Sequence, residues 1–259
     1  MLKEIRRIFY SKFWIHATLS IVYRLINPSK DIILILPKDE GWLAYNFTAD
    51  YKMYYPYPEG VWHIANRKNE IIPEKYQKCG FVEVEDGDNI IDVGAFVGEF
   101  SCGVSSTANE IVACEPSPQT IDFLIKNTQK DKNITVIPAI VSGKNEVKTL
   151  HLSDDPTDDS TLNIDSNYSG ISVGVPSVRI SNIIEYSNFK TVDFLKVEAE
   201  GAEPEVLDSI GGLPIRKVAV DAGAERYGEK TVEKVSSILI ECGFKVRSED
   251  GMVYAKKDI

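Results

Sequence analysis

The chain has 259 residues, 43% hydrophobic and 26% charged, which suits one sizeable core with a small appendage and excludes a disordered or fibrous protein. A formal charge of −10 excludes a general nucleic-acid binder, which needs Lys and Arg clusters against phosphate. The four cysteines (Cys79, Cys102, Cys114, Cys242) form no C-x-x-C pair, and Cys102 and Cys114 sit in apolar contexts that fit buried thiols in a reducing compartment.

The charge is uneven. Residues 1–30 carry six basic side chains against Glu4, a local +5, so the rest of the chain holds −15. This segment is apolar, basic and helix-compatible up to Asn27-Pro28, but Lys12, His16 and Arg24 interrupt it, so it is no clean transmembrane span. Two readings follow. Residues 1–28 form an amphipathic helix lying on an anionic membrane surface, or a helix packed on its own domain or on a second copy of the chain.

Residues 31–85 read as an N-terminal cap of short strands and loops. It opens with "DIILILP" and continues into "YKMYYPYPEGVW", where prolines and glycine work against long regular elements. From residue 86 the pattern turns regular. Strands are predicted at 89–93, 110–115, 134–141, 192–198 and 217–221, with a closing hairpin from 244–247 and 252–256. Helices are predicted at 98–108, 118–129, 203–210 and 229–242. Continuous apolar strands separated by helices imply a doubly wound α/β domain over 86–259, its mostly parallel sheet ending in an antiparallel hairpin. Such sheets bind ligands at strand carboxyl ends, where the winding reverses. The stretch 143–188 interrupts the alternation, first with the polar, acidic, turn-rich "TLHLSDDPTDDSTLNIDSNYSG" and then with "ISVGVPSVRI", which reads as another strand.

The segment "IIDVGAFVG" places Asp92 at a strand end, followed by Gly94, small Ala95, Phe96 and Gly98. The glycines permit a sharp turn and a close backbone approach. The next strand, "EIVACEPS", ends in Glu115, positioned to accept hydrogen bonds from ribose hydroxyls, with Pro116 and Ser117 beside it. A dinucleotide site would read G-x-G-x-x-G. Here the second glycine is absent, and Asp92 would repel a pyrophosphate but suits a cationic ligand, which favours S-adenosylmethionine and disfavours a nucleotide-linked oxidoreductase.

"DVGAFVGEFS", "ACEPSP", "VIPAIVSG" and above all "VDFLKVEAEGAEPEVLDSI" resemble the FkbM-type S-adenosylmethionine-dependent methyltransferases over about residues 75–245. The resemblance implies a class I methyltransferase fold, Rossmann-like, and methyl transfer to a hydroxyl of a sugar, lipid-linked glycan or secondary metabolite. It implies cofactor contacts at Asp92, Gly94, Ala95, Phe96, Gly98, Glu115, Pro116 and Ser117, with Ala139 at the adenine edge. The family usually has Asn at the place of Phe96 and Asp at that of Glu198. Those two departures feed the alternative of a non-catalytic binding or scaffold protein on the same fold.

Glu198 and Glu200 flank the end of the fourth core strand, and removing a hydroxyl proton is work for a carboxylate or histidine. Glu200 is the first candidate base, with Glu198 and His151 as further candidates. Asp154, Asp155, Asp158 and Asp159, near His151, read as a solvated acidic loop, and no metal site is assigned. The expected partner is a small-molecule, glycan or lipid-linked hydroxyl acceptor, with no nucleic acid. A homodimer and a peripheral membrane contact are the other candidate associations, and the expected compartment is the cytoplasm or the inner membrane face.

Overall fold

A computed structural model describes residues 33–38, 41–46, 51–57, 71–153, 159–162, 168–223, 226 and 228–258. The expected basic helix at 1–30 and three of the four loop aspartates, Asp154, Asp155 and Asp158, lie outside these residues. The chain divides into two compact units, Met1–Ile72 and Pro73–Ile259. Among the described residues no helix is long and apolar enough to cross a membrane.

The first unit holds an antiparallel meander of β1 (Ile33–Lys38), β2 (Gly41–Asn46) and β3 (Tyr51–Tyr55). Ala44, Met53 and Tyr55 are buried in it, as expected for a strand face of alternate residues.

The second unit is built on a seven-stranded sheet. Its strands are β4 (Asn89–Val93), β5 (Glu110–Cys114), β6 (Ile134–Ile137), β10 (Val192–Val197), β11 (Ile215–Asp221), β12 (Lys245–Glu249) and β13 (Met252–Lys256), in the order β12-β13-β11-β10-β4-β5-β6. The five strands from β11 to β6 in that order run parallel, and β13 is antiparallel to both β11 and β12. From β4 the chain winds outward through α2 (Glu99–Val104), β5 and α3 (Ile121–Thr128) to β6. It then returns to the other side of β4 with β10 and β11. The winding reverses between β4 and β10.

Both sheet faces are covered, which is why the strands read as apolar runs. Ile91, Val93, Leu195, Val197, Val218 and Val220 share one core with Val206 of α5 (Glu203–Leu207), Val235 and Leu239 of α6 (Val232–Glu241), and Ile180 of α4 (Ile180–Ser187). On the opposite face Phe100 of α2 packs on Phe194 and on Tyr76, which follows the short helix α1 (Ile71–Lys75). Residues 73–85, read from sequence as part of the cap, therefore belong with the large sheet.

The stretch expected as one strand at 134–141 is broken. Pro138 has no N–H for the ladder, so β6 stops at Ile137 and β7 (Ile140–Val141) leaves for a second sheet. There β7 pairs with β9 (Tyr168–Val178), which pairs in turn with β8 (Val147–Ser153) in the order β7-β9-β8. Ile140, Leu150, Leu152 and Val175 form its core. The interrupting stretch is thus a folded hairpin platform, and helix α4 closes it.

Candidate active site

The tips of β4, β10 and β11 carry one continuous chain of charges. Asp92 and Lys196 are direct neighbours across β4 and β10. Asp92 is fully buried; Ser101 Oγ donates to its Oδ2 at 2.7 Å, and its Oδ1 lies 3.1 Å from Lys196 Nζ without a well-formed hydrogen bond. Lys196 Nζ donates to the Gly94 carbonyl at 2.5 Å and lies 3.3 Å from Glu198 Oε2. Glu198 Oε1 in turn accepts from Lys75 Nζ at 2.9 Å, and Lys75 reaches Asp221 Oδ2 at 2.6 Å. Three carboxylates against two ammonium groups leave one net negative charge at this edge.

These contacts set the protonation states. Burial works to raise the Glu198 carboxyl, but Lys196, Lys75 and the Tyr76 hydroxyl hold it well below the usual carboxylate range. Burial works to lower Lys75 and Lys196, and the facing carboxylates override it, so both stay above the ordinary lysine value. The ring of Tyr76 lies 5.0 Å from each ammonium. Glu198 is therefore a firmly ionised carboxylate held by three donors and a poor proton acceptor.

Gly94 is fixed by sterics. Its φ is +70°, and a Cβ there would lie 1.8 Å from the Glu198 carbonyl oxygen. The N–H groups of Gly94 and Ala95 both bond the Cys114 carbonyl at 3.0 Å, so the turn is clamped between the ends of β5 and β10. Gly98, at φ +91°, would bring a Cβ to 2.8 Å from Leu124 Cδ1, so its lack of a side chain serves helix packing. Ala95 is buried with Ala113 and Leu124. Phe96 takes the left-handed conformation at φ 53°, where Asn is tolerated and a bulky residue is strained.

Glu115 lies at the tip of β5, and three donors from its own surroundings fill it. Phe96 N–H donates to Oε2 at 2.7 Å, and Ser117 N–H and Thr120 Oγ1 donate to Oε1 at 2.9 and 3.0 Å. A carboxylate offers about four acceptor sites, so roughly one remains for a ligand hydroxyl. Burial pushes its carboxyl up to about 7 against those hydrogen bonds. The acid is thus raised above its unfolded value, and the folded state binds the proton more tightly. Its contribution to stability is complete below about pH 4.5 and is lost as pH rises toward 7. Glu115→Gln should remove this slope: between about pH 5 and 7.5 the wild type should lose on the order of 3 kcal/mol more than the variant in urea unfolding.

Ser117 and Ala139, expected beside the ribose and adenine, are both buried, and Pro116 is half-buried. Ser117 Oγ donates to Asp159 Oδ2 at 2.5 Å, Gln119 Nε2 to Asp159 Oδ1 at 3.2 Å, and Ser153 N–H to the same oxygen at 2.6 Å. The next residue, Ser160, donates from Oγ to the Glu200 carbonyl at 2.9 Å. Residues 159 and 160 thus clasp the loops on either side of β4. Asp159, read from sequence as part of a solvated loop, is an anchored strut.

Glu200 also has a left-handed backbone, φ 47°, and is half-buried in the loop after β10. Glu203 fixes that loop: fully buried, it accepts from the N–H groups of Ala199 at 3.1 Å and Gly201 at 2.9 Å through Oε1, and from Thr231 Oγ1 at 3.1 Å through Oε2. Arg226 grips Glu205 bidentately at 2.8 and 2.9 Å and donates to the Gly201 carbonyl at 3.1 Å. His151 sits on β8, its Nδ1 3.0 Å from Ser172 Oγ and its backbone paired with Ser160. Its link to the Glu200 loop runs through that Ser160. Among the described residues no cluster of three or more His, Cys, Asp or Glu could hold a metal ion.

Sequence reasoning missed Lys75 and Tyr76, because a five-residue helix containing Pro73 gives no periodic signal. Lys196 was legible. A lysine inside the apolar run "VDFLKV" requires a buried partner.

The chain has the class I methyltransferase fold, a doubly wound and mostly parallel seven-stranded sheet with an antiparallel hairpin at one edge and a winding reversal at an acid-rich crest. The chain belongs to the Methyltransferase FkbM domain family, whose model matches residues 92–246. It is similar to the hexuronic acid methyltransferase AglP of Haloferax volcanii, 26% identical over 150 residues, covering 58% of this chain. The chain spans 59% of the length of that curated relative. Solved structures it resembles include methyltransferase FkbM from Methylobacillus flagellatus KT, at 17% identity and TM-score 0.49, covering 76% of this chain and 50% of the other. Another is precorrin-6y C5,15-methyltransferase from Geobacter metallireducens GS-15, at 15% identity and TM-score 0.43, covering 73% and 87%. The cofactor is S-adenosylmethionine. The donor set fits it: a crest with one net negative charge suits a ligand bearing a sulfonium, and Asp92 Oδ1 and Glu115 each keep acceptor capacity.

Proposed function

We propose that this chain is an S-adenosylmethionine-dependent O-methyltransferase acting on a hydroxyl of a sugar, lipid-linked glycan or secondary metabolite, with a sugar hydroxyl favoured. The observation that carries the proposal is the acid-rich crest at the β4/β10 reversal, inside the stretch that the family model matches. The sugar acceptor is supported by the relative named for hexuronic acid methylation.

The cofactor would supply a methyl group on a positively charged sulfur. Glu115 would hold the ribose, the Gly94 turn would let the nucleoside approach the backbone, and Ala139 would line the adenine edge. Proton removal from the acceptor falls to Glu200. Glu198 is committed to two lysines, whereas Glu200 is held in a strained left-handed conformation beside the strand tip, and such strain gathers at functional positions. The buried Glu203 would position this base by tying down the Ala199 and Gly201 amides.

The test is transfer of a labelled methyl group from S-adenosylmethionine to a panel of glycans and glycolipids, read by mass spectrometry. Glu200→Gln should lower kcat about 10²–10⁴-fold while S-adenosylhomocysteine binds as in the wild type. An unchanged rate would remove Glu200 from the role. Failure of the wild type to bind S-adenosylhomocysteine would favour a non-catalytic scaffold.

A further inference from the structure

Lys75 lies outside the stretch matched by the family model, yet it meets two strand tips of the crest. Its position is fixed from two directions. Tyr254 Oη donates to its backbone carbonyl at 2.7 Å, and the Tyr76 ring lies beneath its ammonium at 5.0 Å. An ammonium has three N–H donors. Two are taken by Glu198 at 2.9 Å and Asp221 at 2.6 Å, leaving one, and the side chain is 28% exposed, as is that of Glu198. The crest therefore presents a cation and an anion side by side at its accessible edge.

The strand order says what this pair can meet. Glu115 is at the tip of β5, and the order is β10-β4-β5-β6. A ligand whose ribose lies at β5 and whose chain crosses the Gly94 turn delivers its far end to β10 and β11. In S-adenosylmethionine that far end is an amino acid, with one carboxylate and one ammonium. We propose that Lys75 binds the carboxylate and Glu198 the ammonium of the cofactor's amino-acid end, so that a residue preceding the family domain sets cofactor selectivity. The carboxylate takes the third N–H of Lys75 without breaking its existing bonds. The ammonium adds to an edge that already carries net negative charge. Asp221 keeps Lys75 at the crest when Glu198 shares its charge with the ligand. This inference rests on the cofactor and not on the acceptor, so it stands or falls separately from methyl transfer to a sugar.

Calorimetry on the full chain tests it with three probes: S-adenosylhomocysteine, its decarboxylated analogue, and 5′-methylthioadenosine, which lacks the amino-acid end. Wild type should bind S-adenosylhomocysteine about tenfold or more tightly than the decarboxylated analogue, the scale of one charge-assisted hydrogen bond. Lys75→Met should weaken S-adenosylhomocysteine about tenfold, to the level of the analogue, and leave 5′-methylthioadenosine unchanged. Lys75→Arg should stay within about threefold of wild type for all three. Equal affinity of the wild type for S-adenosylhomocysteine and its decarboxylated analogue would overturn the proposal. So would a parallel loss of S-adenosylhomocysteine and 5′-methylthioadenosine in Lys75→Met, the mark of a structural role alone. If Lys75→Met does not fold, the wild-type comparison and Lys75→Arg decide.

Discussion

Replacing Gly94 with alanine should cost at least about 3 kcal/mol of stability and abolish S-adenosylhomocysteine binding. Two effects add. At φ +70° an L-residue is strained by about 1–2 kcal/mol, and the new Cβ would sit 1.8 Å from the Glu198 carbonyl oxygen. That oxygen belongs to backbone, so relief requires the end of β10 to move away from β4, which takes the Lys196 and Glu198 contacts with it. Gly87→Ala is the matched control: its φ is +83°, but nothing lies within 4 Å of its Cβ position. Urea unfolding of both variants separates backbone strain from collision. Equal losses would mean that the close approach of β10 to the turn carries no energy.

Lys196→Met should be comparably damaging, about 3–5 kcal/mol, because it strips the fully buried Asp92 of its cation and leaves it, among the described residues, the Ser101 hydroxyl alone. Removing both charges should be far milder. The double variant Asp92→Asn with Lys196→Met should regain most of the loss, since the pair largely offsets its own desolvation and the substituted amide can still accept from Ser101. Chemical unfolding of the two single variants and the double at neutral pH gives the coupling directly. Additive losses would show that the pair is not a unit.

The sequence disclosed the large sheet because its strands are buried on both faces and read as apolar runs. Asp92, Glu115 and Glu198 were conspicuous for the same reason, as charges at the ends of those runs. The platform strand β8 was opaque. It is buried on one face only, so Leu150 and Leu152 alternate with Thr149 and His151, and the polar half of that pattern reads as loop. Helix α4 was hidden in a β-branched, isoleucine-rich segment whose local preference favours a strand. The partnership of Lys75 with Glu198 and Asp221 joins residues more than a hundred positions apart. The return of β10 and β11 to the other side of β4 brings those tips to one edge, and no local pattern encodes that return.

The clasp made by Asp159 and Ser160 bears on whether the hairpin platform could be exchanged as a unit. Because one dipeptide is bonded both to the Ser117 loop and to the Glu200 carbonyl, the hairpin platform cannot drift as an independent module. Grafting a foreign version of it would retune both ends of the crest together unless that dipeptide is kept in register. The loops that follow β5 and β10 are in that sense tied to the platform by a single two-residue joint.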